Sequence, residues 1–171
     1  VDGALHSERD LQVILDHCHR RTMGLAVFLP HPEGGIGRGR EMVVWLTERS
    51  PNWELELHNM NLDLPVLLAY LLTRDGRGHM RLSTVVRDLS VEVDAHRFLD
   101  RIVDMGRLEP DTGRQVLSGD FLTALRGSAY ADVHLLGIAT TVDLQRLVDM
   151  RDAAGGACLF LLDSGQESVL A

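Results

Sequence analysis

The sequence predicts an α/β fold: a mostly parallel, twisted sheet of about five strands with helices on both faces, preceded by an N-terminal helix-strand unit. The main observation is that, from residue 42 onward, short valine-rich apolar runs alternate with segments in which apolar residues recur every three or four positions. Strands and helices in this order call for right-handed crossovers and for strands covered on both faces. A chain of 171 residues with 45% hydrophobic content is also large enough for such a core.

The N-terminal unit is predicted to be one helix followed by one strand. Ser7 is a good N-cap for the helix, and the strand covers residues 25–29. Four residues are expected on the buried face of this helix: Leu11, Ile14, Leu15 and Cys18. Residues 30–40 are rich in proline and glycine and too short for a crossover helix. We therefore predict a boundary here, with residues 1–40 as a helix-strand unit and linker and residues 41–171 as the α/β unit.

The α/β unit is predicted to open with two strands, at 42–46 and 82–86, and a helix between them. Asp63 can cap this helix, Pro65 fits its first turn, and the pair Asp75–Gly76 can end it. Five leucines follow the spacing i, i+3, i+4, i+7 and i+8 and are expected to form its buried face: Leu64, Leu67, Leu68, Leu71 and Leu72. This segment is a βαβ unit.

The alternation continues to the end of the chain. A helix from about Asp94 to Gly106 is expected to bury Ala95, Phe98, Leu99, Ile102 and Val103. Strands are predicted at 115–117, 133–138 and 158–162, with a short helix from Asp120 after the first of them. The last helix carries Leu144, Leu147 and Val148, and either Thr140 or Thr141 can cap it.

Composition excludes several functions. The net charge of −8 argues against nucleic acid as a partner, because its binding requires a cationic surface. All 17 cationic residues are arginine, which excludes a catalytic lysine. The longest apolar run, residues 66–72, is far shorter than the ~20 residues that cross a bilayer, so we expect no direct bilayer insertion. Cys18 and Cys158 are expected to be buried and reduced, which suits a cytoplasmic chain.

Two motifs that suggest ligand chemistry have plainer interpretations. The glycine cluster at 34–39 precedes a strand instead of a helix, so we interpret it as a flexible linker and not as a phosphate loop. His17 and His19 are two positions apart on a helix and point about 200° away from each other. We therefore predict no metal site and no bound cofactor.

The candidate site residues follow predicted strands, at the edge where open α/β sheets bind ligands. They are Ser118, Asp120, Thr140 and Thr141; Asp163 and Ser164 lie in the same position after the last strand. The same residue types also serve as helix caps and turn formers, and this is the interpretation we favour. Trp53 lies in a loop and is either a contact residue at an interface or part of the core. No spacing of nucleophile, base or paired carboxylates predicts a catalytic residue.

Several segments together resemble one family, the cytoplasmic tail domains of cation-chloride cotransporters and related prokaryotic permeases. These segments are the strand 43–46 ending in Trp-Leu, the run Leu67–Arg74 (LLAYLLTR), the strand 80–86, the segment 128–138 (SAYADVHLLGI) and the closing strand 157–162. The helix and strand within 11–30 resemble the end of the preceding tail subdomain. The Tyr-Asp-Asp-Gly-Gly wording of eukaryotic members and the regulatory phosphorylation insertion of animal members are absent, so the chain resembles the prokaryotic branch.

The resemblance implies a Rossmann-like fold similar to universal stress proteins. It also implies a regulatory, non-catalytic module that forms dimers beneath its own transmembrane domain, at the cytoplasmic face of the cell membrane. The alternative is a free-standing domain, similar to universal stress proteins, that binds an adenine nucleotide. Against this alternative, the glycine-rich phosphate signature of those proteins is not recognisable around residues 138–142. An enzyme of unknown chemistry is the third hypothesis.

Overall fold

The computed structural model describes residues 8–33, 41–46, 53, 62–74 and 78–167. The predicted cap Ser7, the glycine cluster at 34–39 and the helix end at Asp75–Gly76 lie outside the described residues. Helices and strands alternate in the order α1 Glu8–Arg20, β1 Leu25–Leu29, β2 Glu41–Leu46, α2 Asp63–Thr73, β3 His79–Val86, a 3₁₀ turn Leu89–Val91, α3 Glu92–Met105, β4 Gly113–Ser118, α4 Phe121–Arg126, β5 Val133–Gly137, α5 Leu144–Ala154 and β6 Ala157–Leu162.

The strands form one sheet in the order β1-β6-β5-β2-β3-β4. Strands β2 to β6 pair in parallel, whereas β1 runs antiparallel to β6, with Leu25 opposite Leu162 and Leu29 opposite Cys158. The predicted class is confirmed. The sheet has six strands among the described residues where about five were expected, because β1 of the N-terminal unit joins it.

Two apolar cores lie on opposite faces of the sheet. One packs α2 and α3 against residues such as Val44 and Leu82, and the other packs α1 and α5 against residues such as Trp45 and Phe160. The N-terminal helix and strand therefore share a sheet and a core with the rest of the chain. The division of the chain at residue 40 into units of different origin stays a prediction.

On α1 and α3, all but one of the positions predicted to lie in the core are buried. All five residues predicted on α3 are buried, as are Leu11, Leu15 and Cys18. Ile14, however, is 40% exposed, so the prediction for this residue was wrong. The buried residues of α1 recur at i, i+4 and i+7, and this narrow stripe leaves Ile14 on its flank.

Helix α2 presents the opposite face from the one predicted. Its buried residues are Pro65, Val66, Ala69 and Thr73, whereas Leu71 and Leu72 are about half exposed, at 50% and 51%. Leu64, Leu67 and Leu68 are only partly buried. The helix is apolar on all sides, and its smaller residues lie against the sheet. Periodicity of the leucines alone therefore gave the wrong face.

Candidate functional site

The carboxyl edge of the parallel strands is the edge at which a ligand is expected in this fold. In open α/β sheets, ligands bind where the chain leaves neighbouring strands in opposite directions. Here that point lies between β2 and β5, because the chain continues to β3 and β4 on one side and to β6 on the other. The loop after β5 is described, whereas residues 47–52 after β2 are not.

The predicted site residues do not come together at this point. Ser118 ends the edge strand β4, and Asp120 follows it at the start of α4, whereas Thr140 and Thr141 follow β5. Strands β2 and β3 lie between β5 and β4, so three strand spacings, or about 14 Å, separate the two pairs. These four residues cannot surround one small ligand.

Each of the four has an ordinary structural position. Asp120 caps α4: its carboxylate accepts hydrogen bonds from the backbone N–H and the hydroxyl of Thr123, at 3.1 and 3.3 Å, and the backbone bond above all lowers the pKa of Asp120. Ser118, Thr140 and Thr141 are exposed. Neither threonine caps α5 as predicted, because Asp143 accepts from the N–H of Arg146 at 3.0 Å. That helix begins closer to Asp143 than the sequence suggested.

Helix α1 closes the loop after β5. The side-chain amide of Gln12 donates to the carbonyl of Thr140 at 2.8 Å, and its oxygen accepts from the N–H of Val142 at 2.9 Å. Glu8 accepts from the N–H of Leu144 at 3.4 Å. The backbone groups that a ligand would use at the switch point therefore already bond to the chain itself. No local sequence pattern indicates this contact, since it joins residues about 130 positions apart.

Asp163, which follows β6, caps α2 from a distance. Its two carboxylate oxygens accept from the N–H groups of Asp63 and Leu64, at 3.1 and 3.2 Å. The N-cap position itself is Leu62, and no side-chain cap bond forms there, so the predicted cap by Asp63 was wrong. Burial raises the pKa of Asp163 to about 6, and the charges of Asp63 and Glu167 add to this rise, whereas the two N–H groups oppose it.

Three helices therefore begin at the carboxyl edge with a carboxylate on their first N–H groups. These carboxylates belong to Asp163 for α2, Asp120 for α4 and Asp143 for α5. A phosphate binds a helix N-terminus through those same N–H groups and the positive end of the helix dipole. Here the groups are taken, and the negative side chains repel a second anion. The starts of α2, α4 and α5 are consequently poor phosphate sites, whereas α3 begins without a side-chain cap.

A buried polar pair lies inside the sheet, on the face covered by α1 and α5. The indole N–H of Trp45 donates to Nδ1 of His134 at 3.0 Å, and His134 is fully buried. Burial lowers the pKa of His134 to about 4, and the charge of Arg81 adds to this effect. Because Nδ1 accepts, the ring proton lies on Nε2, which has no hydrogen-bond partner among the described residues. This histidine is neutral and enclosed, unlike a catalytic base at a cleft.

The other reactive side chains are equally enclosed. Burial raises the pKa of the Cys158 thiol to about 12, so it is not a nucleophile at neutral pH, and Cys18 is also buried and free. Within the described ranges, no three His, Cys, Asp or Glu side chains are grouped as metal ligands would be. Cys18 and Cys158 are therefore core residues.

Trp53 belongs to the core. Its side chain is 5% exposed, and its ring packs edge-on against Phe98 with the centroids 5.7 Å apart. Of the two sequence-based interpretations, the exposed contact residue is therefore corrected: the indole is enclosed between α3 and the sheet and offers no free surface.

The fold and this edge define a class: a doubly wound α/β domain in which the described part of the carboxyl edge carries side chains that cap its own helices. A family model described as the prokaryotic cation-chloride cotransporter C-terminal domain, second part, matches residues 37–170. The chain belongs to this family. A comparison with curated proteins gave no match.

Two solved structures have a similar fold. The first is the cytoplasmic domain of a prokaryotic cation chloride cotransporter, with a TM-score of 0.86 and 25% identity over 98% of this chain and 63% of that one. The second is a universal stress protein from Archaeoglobus fulgidus DSM 4304, with a TM-score of 0.54 and 13% identity over 96% of this chain and 59% of that one. This chain thus spans less than two thirds of either. The resemblance to the cotransporter family and the similarity to the universal stress protein fold are confirmed.

Among the described residues, no helix has both the length and the apolar character needed to span a bilayer.

Proposed function

We propose that this chain is a cytoplasmic, non-catalytic module that regulates a membrane cation-chloride cotransporter and forms a homodimer beneath it. The observation that carries the proposal is the family match over residues 37–170. The similar structure described as the cytoplasmic domain of such a cotransporter supports the location. The partners in this proposal are the transmembrane domain of the same protein and a second copy of the chain.

A non-catalytic role is supported by the chemistry of the described residues. The carboxyl edge carries helix caps in place of a pocket of converging polar groups, and His134 and Cys158 are enclosed and uncharged. Enzymes place groups with perturbed pKa values where substrate can reach them. The pKa values of His134 and Cys158 are instead perturbed because both side chains are buried, out of reach of a substrate.

Transport by the complete protein tests the regulatory role. We would reconstitute equal amounts of the complete wild-type protein and of its Gly156→Ala and Gly127→Ala variants in liposomes and measure cation flux that depends on chloride. A β-carbon at Gly156 would lie 2.6 Å from the carbonyl oxygen of Ala131, whereas the nearest atom at Gly127 is 3.5 Å away. Gly156→Ala therefore disturbs this domain, and Gly127→Ala is the matched control.

A regulatory module predicts that all three proteins carry flux and that only Gly156→Ala changes its rate. Equal rates in all three would contradict regulation by this domain. A wild-type protein without chloride-dependent flux would contradict the cotransporter proposal as a whole.

Titration with ATP addresses the nucleotide alternative. Because carboxylates occupy the N-termini of α2, α4 and α5, we expect no binding heat when ATP is added to the chain in a calorimeter. Heat that fits a micromolar dissociation constant would overturn the proposal of a module without a nucleotide ligand.

A further inference from the structure

The outer side of α2 is apolar along the whole length of the helix. We name as the leucine face the five residues Leu64, Leu67, Leu68, Leu71 and Leu72. Leu71 and Leu72 are about half exposed, and the helix carries no charged side chain between Asp63 and Arg74. Isolated exposed leucines are normal, but two adjacent half-exposed leucines beside three partly buried ones form a continuous apolar surface, which marks an interaction site.

The opposite face of α2 explains why the leucines point outward. Val66 and Ala69 are fully buried against the sheet, and the hydroxyl of Thr73 donates to the carbonyl of Ala69 at 2.8 Å. The face of α2 that packs against the sheet therefore consists of small side chains and one hydroxyl that is hydrogen-bonded. Turning the leucines inward would bury more apolar surface but would expose Val66 and Ala69. Leu64, Leu67 and Leu68 pack partly against this core, whereas Leu71 and Leu72 extend away from it.

We propose that the leucine face binds the same face of a second copy of this chain, with the two α2 helices antiparallel across a two-fold axis near Leu68. The proposal rests on the homodimer proposed above and gives it a location. A two-fold interface must be self-complementary. Leu64 and Leu72 are equidistant from Leu68, and the helix has an acidic residue at its start, Asp63, and a basic residue just after its end, Arg74.

Charge favours this arrangement over a parallel one. Antiparallel helices bring Asp63 next to the partner's Arg74 at both ends of the pair, whereas parallel helices put like charges together. The whole chain has a net charge of −8, so two copies repel each other over most of their surfaces. An uncharged face bounded by complementary charges is where this repulsion is least.

The size of the face limits the strength of association. Eleven residues of helix extend about 16 Å, which is less than a standard interface of ~800 Å² per partner requires. Strand β1 presents Phe28, 42% exposed, on the same side of the sheet as α2 and extends the apolar surface. We therefore expect a weak dimer in the isolated chain, with a micromolar dissociation constant.

Sedimentation velocity over a concentration series tests the surface. The double variant Leu71→Gln/Leu72→Gln changes two exposed residues of the leucine face. Leu89→Gln/Val93→Gln is the matched control, since those residues are 64% and 59% exposed on the 3₁₀ turn and on α3. We expect the first variant to raise the dissociation constant about 100-fold and the control to leave it unchanged.

Cysteine crosslinking tests the geometry. Under mild oxidation, Leu68→Cys should form a disulfide dimer because it lies at the axis. Leu64→Cys should not, because the two copies of residue 64 are offset by about 12 Å along the helices. Cys18 and Cys158 are buried and should stay reduced during the short reaction. Equal crosslinking at both positions would indicate parallel helices and overturn the arrangement.

The outcomes separate this inference from the proposed dimer. A dimer that persists in Leu71→Gln/Leu72→Gln would overturn the leucine face and leave the dimer proposal standing. A wild-type chain that stays monomeric at the highest concentration would overturn both. A monomeric longer tail in which residues 62–74 are protected from hydrogen exchange would assign the leucine face to the rest of the same polypeptide, and would also overturn the inference.

Discussion

His134 and Asp163 are two titratable side chains whose pKa values the fold moves in opposite directions. The pKa of His134 falls from 6.5 to about 4, and the pKa of Asp163 rises from 3.8 to about 6. Both shifts arise mainly from burial, which disfavours the charged form of either group. Their effects on stability therefore oppose each other within the same pH range.

The sign of each contribution follows from which state binds the proton first. As pH falls, the unfolded chain protonates His134 before the folded chain does. The free energy of unfolding therefore decreases as pH falls from 6.5 to about 4, by up to about 3 kcal/mol. The folded chain, in contrast, keeps the proton on Asp163 to a higher pH than the unfolded chain does. The free energy of unfolding therefore decreases as pH rises from 3.8 to about 6. In the wild type these two slopes partly cancel.

Two variants separate the slopes. In His134→Gln the contribution of Asp163 remains, and we expect the free energy of unfolding to decrease as pH rises from about 4 to 6. In Asp163→Asn the contribution of His134 remains, and we expect it to decrease as pH falls from 6.5 to about 4. Urea unfolding at a series of pH values measures each slope. Parallel pH profiles in the wild type and both variants would show that neither group titrates as the fold implies.

Gly156 is a residue at which close packing leaves no room for a larger side chain. A β-carbon there would meet the carbonyl oxygen of Ala131 at 2.6 Å and the ring of His134 at 3.2 Å. We expect Gly156→Ala to lower the free energy of unfolding by about 1–3 kcal/mol, the usual cost of overpacking. Gly127→Ala, with its nearest neighbour at 3.5 Å, is the control and should change it by less than about 0.5 kcal/mol. Equal midpoints of urea unfolding for the two variants would contradict this close contact.

At the scale of elements, helix α2 shows what sequence periodicity can and cannot predict. Its start at Asp63 was predicted correctly, because Pro65 is preferred in the first turn of a helix. Its buried face was wrong, because a helix that is apolar all round leaves the choice of face to packing. Likewise, the true cap is Asp163, a hundred residues away. Helix α3, which has a single apolar stripe, was predicted with all its buried residues.

The distant cap of α2 leads to a prediction about this helix. In Asp163→Ala the N–H groups of Asp63 and Leu64 lose their acceptor, whereas Asp163→Asn keeps an oxygen that can accept from one of them. We expect Asp163→Ala to be less stable than Asp163→Asn by about 1 kcal/mol at pH 7. Comparing the two variants cancels the loss of the buried charge, which is common to both. Urea midpoints that coincide would mean that the carboxylate does not support the helix.

At the scale of the whole molecule, the sheet joins the two ends of the chain. Strand β1 lies at the edge beside β6, so the first and last described strands are neighbours. The repeated strand–helix order predicted the parallel part of the sheet, since short crossovers allow few alternatives. It did not predict where β1 would pair, because the proline- and glycine-rich residues 30–40 are predicted to be too short for a crossover helix and so do not specify the direction of the chain. The candidate site shares this limit: Asp120, Thr140 and Thr141 follow their strands as predicted and Ser118 is the last residue of β4, but the order of the strands keeps the two pairs apart.

Because α1 and β1 share a core with the parallel strands, the described residues should unfold as one unit. Leu15 on α1 is 1% exposed in one core, and Leu99 on α3 is fully buried in the other. We expect Leu15→Ala and Leu99→Ala each to lower the free energy of unfolding by about 2–5 kcal/mol in a single transition. Val13→Ala, on the same helix as Leu15 but 59% exposed, is the control and should have little effect.

Circular dichroism and tryptophan fluorescence measure this transition independently. Trp45 lies in the core that contains Leu15, and Trp53 lies in the core that contains Leu99, so fluorescence reports both cores. If residues 1–40 were a separate unit, Leu15→Ala would weaken an early transition and leave the main one where it is in the wild type. If the sheet joins them, both probes shift together for either variant, because losing β1 exposes the apolar face of β6 and strand pairing couples the two cores.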